Sequence, residues 1–195
     1  WDDIADNTSF VWRDGDHAAT ATAMADAPRK AALRVVNNRL IVASIEPRIA
    51  IGEWDGPRFT LTTTSQGPHS LRLQLAEHLF KLPEDAFRVV THDVGGGFGT
   101  KIYHYADEAI LTWASKKVRR PIKWTADRSD SFMTDAQGRD HVTKGELALD
   151  KDGTFLGLRV QTNANMGGYL STFAPAIPTY LYATLLAGLY KTPVI

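Results

Sequence analysis

The chain has 195 residues, with 22 Lys and Arg balancing 22 Asp and Glu, so no global field favours nucleic acid or an anionic membrane. Its 44% hydrophobic and 23% charged shares are ordinary for a globular protein, and no apolar run approaches the ~20 residues that span a bilayer. There is no cysteine, which excludes disulfides, thiolate-ligated iron–sulfur clusters, cysteine-bound zinc and a cysteine nucleophile from these residues.

Residues 1–15 are rich in aspartate, lack a clear period and read as a linker or edge segment. They show no basic-then-apolar leader, so the cytoplasm is the expected compartment and the periplasm stays open. The folded part is expected over 16–195, as two α/β lobes at about 16–100 and 101–195. Asp16 is placed to cap an alanine-rich helix that Pro28 ends. Strands are expected over 31–36, 40–44, 48–53 and 59–64, around turns at Asn37-Asn38 and Asp55-Gly56-Pro57. Gly67-Pro68 opens a helix with Leu71, Leu75 and Leu79 along one face, and Pro83 stops the pattern.

A strand at 87–90 then leads into Val94-Gly95-Gly96-Gly97-Phe98-Gly99-Thr100-Lys101. The helical period that follows, from about His104, places Ala106, Ala109, Ile110, Trp113 and Ala114 on one apolar stripe. Lys116-Lys117 and Arg119-Arg120 complement the C-terminal end of that helix, with a nucleic-acid patch as the alternative. A strand at 122–125, a polar segment at Asp127-Arg128-Ser129 and a hairpin over 142–149 and 154–162 come next, and the apolar tail at 173–189 is expected to be helical. Irregular alternation with hairpins argues for an α+β fold of layered mixed-sheet and helix units, not a doubly wound parallel sheet.

Four glycines within five positions mark a backbone that something approaches closely, or that needs angles barred to other residues. Between a strand and a helix, such a loop offers a nest of N–H groups to anionic or oxo-type atoms. Two nucleotide motifs fail here. A dinucleotide fingerprint starting at Gly95 needs a glycine where Thr100 stands, and Lys101 lacks the neighbours of a phosphate-loop lysine. Gln66 lies at a second strand-to-helix junction, where its amide can donate and accept, and the two junctions can converge on one crevice. Helix capping is the plainer role for Gln66, and close packing the plainer role for the loop.

Other constellations are weaker. His104, Asp107 and Glu108 share helical spacing, but no second histidine joins them, and the two acids fit a solvated face. His92-Asp93 reads as two side chains pointing apart, and no G-x-S-x-G elbow supports a serine nucleophile.

Asn37-Asn38-Arg39 through Glu46-Pro47-Arg48, then Thr64-Ser65-Gln66-Gly67-Pro68-His69, then the glycine loop through Lys101, occur in an order and spacing that carry a likeness. Arg120-Pro121-Ile122-Lys123-Trp124, Asp127-Arg128-Ser129 and Asn165-Met166-Gly167-Gly168-Tyr169 continue it. From about Asp16 to Ile195 the chain resembles the molybdenum-binding large subunit of the xanthine dehydrogenase and aldehyde oxidase family. The bacterial branch with the carbon monoxide dehydrogenase large chain is the most similar.

That resemblance implies a molybdopterin cytosine dinucleotide site in an enzyme that hydroxylates an aldehyde, an N-heterocycle or a similar small molecule with oxygen from water. It implies partners too: the remainder of a large subunit, an iron–sulfur subunit and an FAD subunit. Gln66 would bond an oxo ligand of the metal or its surroundings. Phe98 and Gly99 would offer backbone amides, and Gly96 and Gly97 would permit the approach. Purine-oxidising members carry a glutamate directly after the loop lysine, where Ile102 stands here, so Ile102 is the candidate substrate-pocket residue and a purine is disfavoured. No residue matches the family's active-site glutamate, and no catalytic or metal-ligating residue is assigned. A non-catalytic scaffold of the same descent is the rival reading, and a nicotinamide enzyme a third.

Overall fold

In the computed structural model, which describes residues 3–195, Leu40 and Gly138 exchange both backbone hydrogen bonds at 3.0 Å. That neck closes off Leu40–Gly138 as one compact unit, while Trp1–Arg39 and Arg139–Ile195 together make the other. The units therefore differ from lobes at 16–100 and 101–195, because strand pairing joins segments far apart in sequence.

The discontinuous unit is a three-stranded antiparallel sheet in the order β1 (Arg29–Asn37), β6 (His141–Leu149), β7 (Phe155–Ala164). Helix α1 (His17–Asp26) packs on it, capped by the Asp16 carboxylate accepting from Ala19 N at 2.9 Å. Met24, Ala27 and Ala148 form its small buried core. The β6–β7 turn is pinned by Asp150 Oδ1, which accepts from Asp152 N and Thr154 N, both at 2.8 Å.

The continuous unit carries the candidate site. Its mixed sheet has the order β4 (Phe87–Val90), β3 (Phe59–Thr63), β2 (Ile49–Trp54), β5 (Ile122–Thr125). Only β3 and β4 are parallel, joined by the crossover helix α2 (Pro68–Leu73) and its π-helical continuation Gln74–Phe80. The wider π turn carries Leu79 off the buried face, so Leu71 and Leu75 are buried while Leu79 is exposed. Phe59, Phe80 and Phe87 pack with ring centroids 4.9–5.4 Å apart.

Several local expectations are corrected. Residues 40–44 do not form a strand, because Ala43 turns left-handed (φ 49°) and the segment beyond it runs along the glycine loop. The polar segment at 127–129 opens a helix, α4 (Arg128–Thr134), with Asp127 and Asp130 in a reciprocal capping box. The tail is a series of turns with one short π-helical piece, Ile177–Leu181. Helix α3 (Ala106–Val118) exists, but Ile110 and Trp113 of its apolar stripe are exposed, and Glu108, Thr112 and Ser115 are buried.

Candidate functional site

Because β3 and β4 are parallel neighbours, the loops leaving their C-terminal ends emerge on the same edge of the sheet. The first carries Gln66 and the second carries Gly95–Gly99, and the two meet. Gln66 Oε1 accepts from Gly99 N at 3.0 Å, and Gln66 N donates to Lys101 O at 2.9 Å. The convergence expected from sequence is thus present as direct hydrogen bonds.

The loop needs its glycines for identifiable reasons. Gly96 and Gly99 have φ of 98° and 94°, and a Cβ on Gly97 would stand 2.3 Å from Gln66 Oε1. Phe98 takes a left-handed φ of 49° at the tip, with its ring exposed. Two loop donors are engaged internally, since Gly96 N bonds Val94 O at 2.9 Å and Thr100 N bonds Gly97 O at 2.9 Å. Among the described residues, Gly97 N and Phe98 N have no hydrogen-bond partner. Gly99 N is spent on Gln66, so the free amides are those of Gly97 and Phe98, where the resemblance implies Phe98 and Gly99.

The same bond changes the reading of Gln66. With its oxygen accepting from Gly99, the amide is held in one orientation that leaves its Nε2 hydrogens to donate. Three N–H donor positions then lie around one loop, and the Lys101 ammonium beside it is paired with Glu46. Ile102 is half-buried in the single 3-10 turn that follows, with its N–H on Gly99 O at 3.3 Å.

Residues that sequence reasoning left unassigned hold this loop. Glu46 Oε2 accepts from both Lys101 Nζ and Gly95 N, at 2.8 Å each. Burial alone would raise the Glu46 carboxyl, but the Lys101 ammonium and the Gly95 N–H outweigh it and hold the group below its ordinary value. Beyond the loop, Tyr105 Oη donates to Thr100 O at 2.7 Å and accepts from Ala136 N at 3.0 Å. Its ring lies 3.7 Å beneath the Arg48 guanidinium, which is buried and paired with Asp107 and Asp135. Burial would lower the Arg48 pKa, but those two carboxylates raise it further.

Of the weaker constellations, His104 and Glu108 do come together, with Nδ1 and Oε2 3.5 Å apart. Asp107, half-buried, pairs with Arg48, and buried Glu108 receives Tyr105 N and Thr63 Oγ1, both at 3.1 Å, so both acids are engaged within the protein. No group of three metal-ligating side chains occurs among the described residues. His92 and Asp93 are exposed and share no hydrogen bond. Lys116 sits 5.3 Å from the Trp54 ring and Lys117 5.4 Å from Trp113, a helix-end arrangement. Among the described residues no helix is long and apolar enough to cross a membrane.

The family model described as molybdopterin cofactor-binding domain matches residues 2–195. The carbon monoxide dehydrogenase large chain of Hydrogenophaga pseudoflava is 35% identical over 190 residues, 96% of this chain and 23% of that protein. Among solved structures, a Cu,Mo-CO dehydrogenase in its carbon monoxide reduced state has a TM-score of 0.78 at 27% identity, covering 94% of this chain and 23% of its own. Quinoline 2-oxidoreductase from Pseudomonas putida 86 has a TM-score of 0.77 at 26% identity, covering 89% of this chain and 22% of its own. The chain spans just under a quarter of the curated relative's length.

Proposed function

Because this chain belongs to the molybdopterin cofactor-binding domain family, we propose that Gln66 and the glycine loop form one wall of the cofactor pocket in a molybdenum hydroxylase large subunit. The observation that carries the reading is a set of donors without partners among the described residues: Gly97 N and Phe98 N on a loop stripped of side chains at 95–97, and Gln66 Nε2 on the loop packed against it. Oxygen-rich, multiply charged groups are recognised by such preorganised donors, which pay no reorganisation cost when the ligand arrives. The cofactor, in its cytosine dinucleotide form, would be held on its oxo and pterin-ligand side by Gln66, Gly97 and Phe98. Gly96 supplies the left-handed turn that exposes them.

When bound, that cofactor supplies two-electron oxidation of a small aldehyde, N-heterocycle or similar molecule, with oxygen taken from water. This chain orients and hydrogen-bonds, and no residue within it is assigned as base, nucleophile or metal ligand. Ile102 presents an apolar side chain near the loop exit and gives a purine no charged partner. The remainder of the large subunit and iron–sulfur and FAD subunits are the proposed partners.

The test is molybdenum and pterin content per chain of the complete protein carrying this sequence. The wild type is expected to hold close to stoichiometric metal. Gly97→Ala drives a Cβ into the Gln66 amide and should cut retained molybdenum by roughly tenfold, the worth of one lost charge-type hydrogen bond. A folded wild type with no molybdenum would point to a non-catalytic scaffold.

A further inference from the structure

The glycine loop is bracketed by one carboxylate. Glu46 Oε2 takes Gly95 N at the loop entrance and Lys101 Nζ at its exit, both at 2.8 Å. Glu46 N also donates to Gly95 O at 3.1 Å, so both backbone groups of the first loop glycine are bound to one residue. A Cβ on Gly95 would lie 2.5 Å from Glu46 Cβ, so only glycine lets the two segments run this close. At the exit, Lys101 O accepts from Gln66 N at 2.9 Å and from Ser65 Oγ at 3.4 Å. Lys101 therefore links Glu46 through its side chain to Gln66 through its backbone. Its side chain is 1% exposed.

We propose that Glu46 and Lys101 are a positioning pair, a strut between a half-buried carboxylate and a buried ammonium that fixes both ends of the glycine loop so that Gly97 N, Phe98 N and Gln66 Nε2 face one ligand before it binds. The proposal rests on the cofactor reading above. Two arguments favour positioning over bulk stability. An ion pair held partly out of water adds little stability over a well-packed apolar pair of similar size, yet removing Glu46 leaves the buried Lys101 charge stranded. Moreover, the Lys101 charge is spent on Glu46, so it serves as a fixed pin and the loop's N–H groups are left to recognise the ligand.

The test compares wild type, Glu46→Gln, Lys101→Met and the paired replacement Glu46→Met with Lys101→Met in the complete protein. Arg72→Gln, which breaks the exposed Arg72–Glu84 pair away from the loop, is the control. Three quantities are read: the thermal midpoint, hydrogen exchange of the 95–99 amides without cofactor, and the rate of molybdenum loss on dialysis.

The paired replacement should melt at or above the wild-type temperature, while its loop amides exchange and its molybdenum leaves at least about tenfold faster. Each single variant should show the same loop loosening with a lower midpoint, and the control should change neither loop quantity. Wild-type exchange and molybdenum retention in the paired replacement would overturn the proposal. A wild type that binds no molybdenum would instead remove the cofactor reading, and loop exchange alone would still decide the strut.

Discussion

Arg48 lies in a short motif of the resemblance, yet nothing in its sequence neighbourhood says that it is the hub of the segments around the loop. It is 5% exposed, bonds Asp135 Oδ1 at 2.6 Å and Thr134 Oγ1 at 2.9 Å, pairs with Asp107 and stacks on Tyr105. Arg48→Met strands two carboxylates and should cost about 3–5 kcal/mol in urea unfolding. Arg48→Lys should recover only part of that, since an ammonium cannot reproduce the planar fork or the stacking. Glu46 gives a second residue-scale expectation, in pH. Its folded-state pKa lies below the unfolded value, so its stabilisation is complete above the ordinary carboxylate range and is lost as pH falls through the lowered one. Glu46→Gln should remove that component of the acid slope, and an unchanged slope in thermal melts across pH would contradict the assignment. Gln66 and the glycines could be named from sequence because loop chemistry is local. The residues that hold them could not, because Glu46–Lys101 and Arg48–Asp135 join positions 55 and 87 residues apart.

At the scale of elements, α3 shows where periodicity misleads. The bulky part of its apolar stripe faces outward, with Ile110 60% and Trp113 54% exposed while Ala109 packs on the core, and its buried residues are Glu108, Thr112 and Ser115. The inward polar groups are satisfied locally: Thr112 Oγ1 bonds Glu108 O at 2.6 Å, Ser115 Oγ bonds Thr112 O at 2.7 Å, and Glu108 takes Thr63. Small side chains on that face let the helix backbone reach the sheet. At Gly52 of β2 a Cβ would stand 2.7 Å from the Leu111 carbonyl carbon and oxygen and 2.8 Å from Thr112 N. Counting apolar positions assumes that the wider hydrophobic stripe is buried, and here close approach governs instead. Gly52→Ala should therefore destabilise the unit by about 1–3 kcal/mol, because helix and sheet must part. Trp113→Ser should shift it by no more than about 0.5 kcal/mol in this chain, and denaturant midpoints of the two variants would reveal a reversed order.

At the scale of the whole molecule, the sequence could say α+β but not which segments make each unit. The hairpin at β6–β7 is legible from its Asp-Lys-Asp-Gly turn, whereas the pairing of β1 with β6 leaps over the whole of Leu40–Gly138. No local signal announces such an insertion, and the cut at residue 100 falls between the glycine loop and the helix it feeds. The observed division has a physical consequence. Leu40–Gly138 is closed at its neck by a reciprocal backbone pair and owns a core of seven buried apolar residues, including Leu61, Leu75 and Phe87. Among the described residues, the buried apolar side chains of the other unit are Met24, Ala27 and Ala148, and its β1 is exposed along its full length. Since buried apolar area is the main favourable term in folding, the two should differ sharply in autonomy. Residues 40–138 expressed alone should unfold in urea as one cooperative transition with native-like amide protection in β2, β3 and α3. Residues 3–39 joined to 139–195 by a short glycine linker should be marginal, with protection confined to the β6–β7 hairpin. Equal protection in both pieces, or an unfolded 40–138, would show that the core residues counted within each unit do not determine its stability.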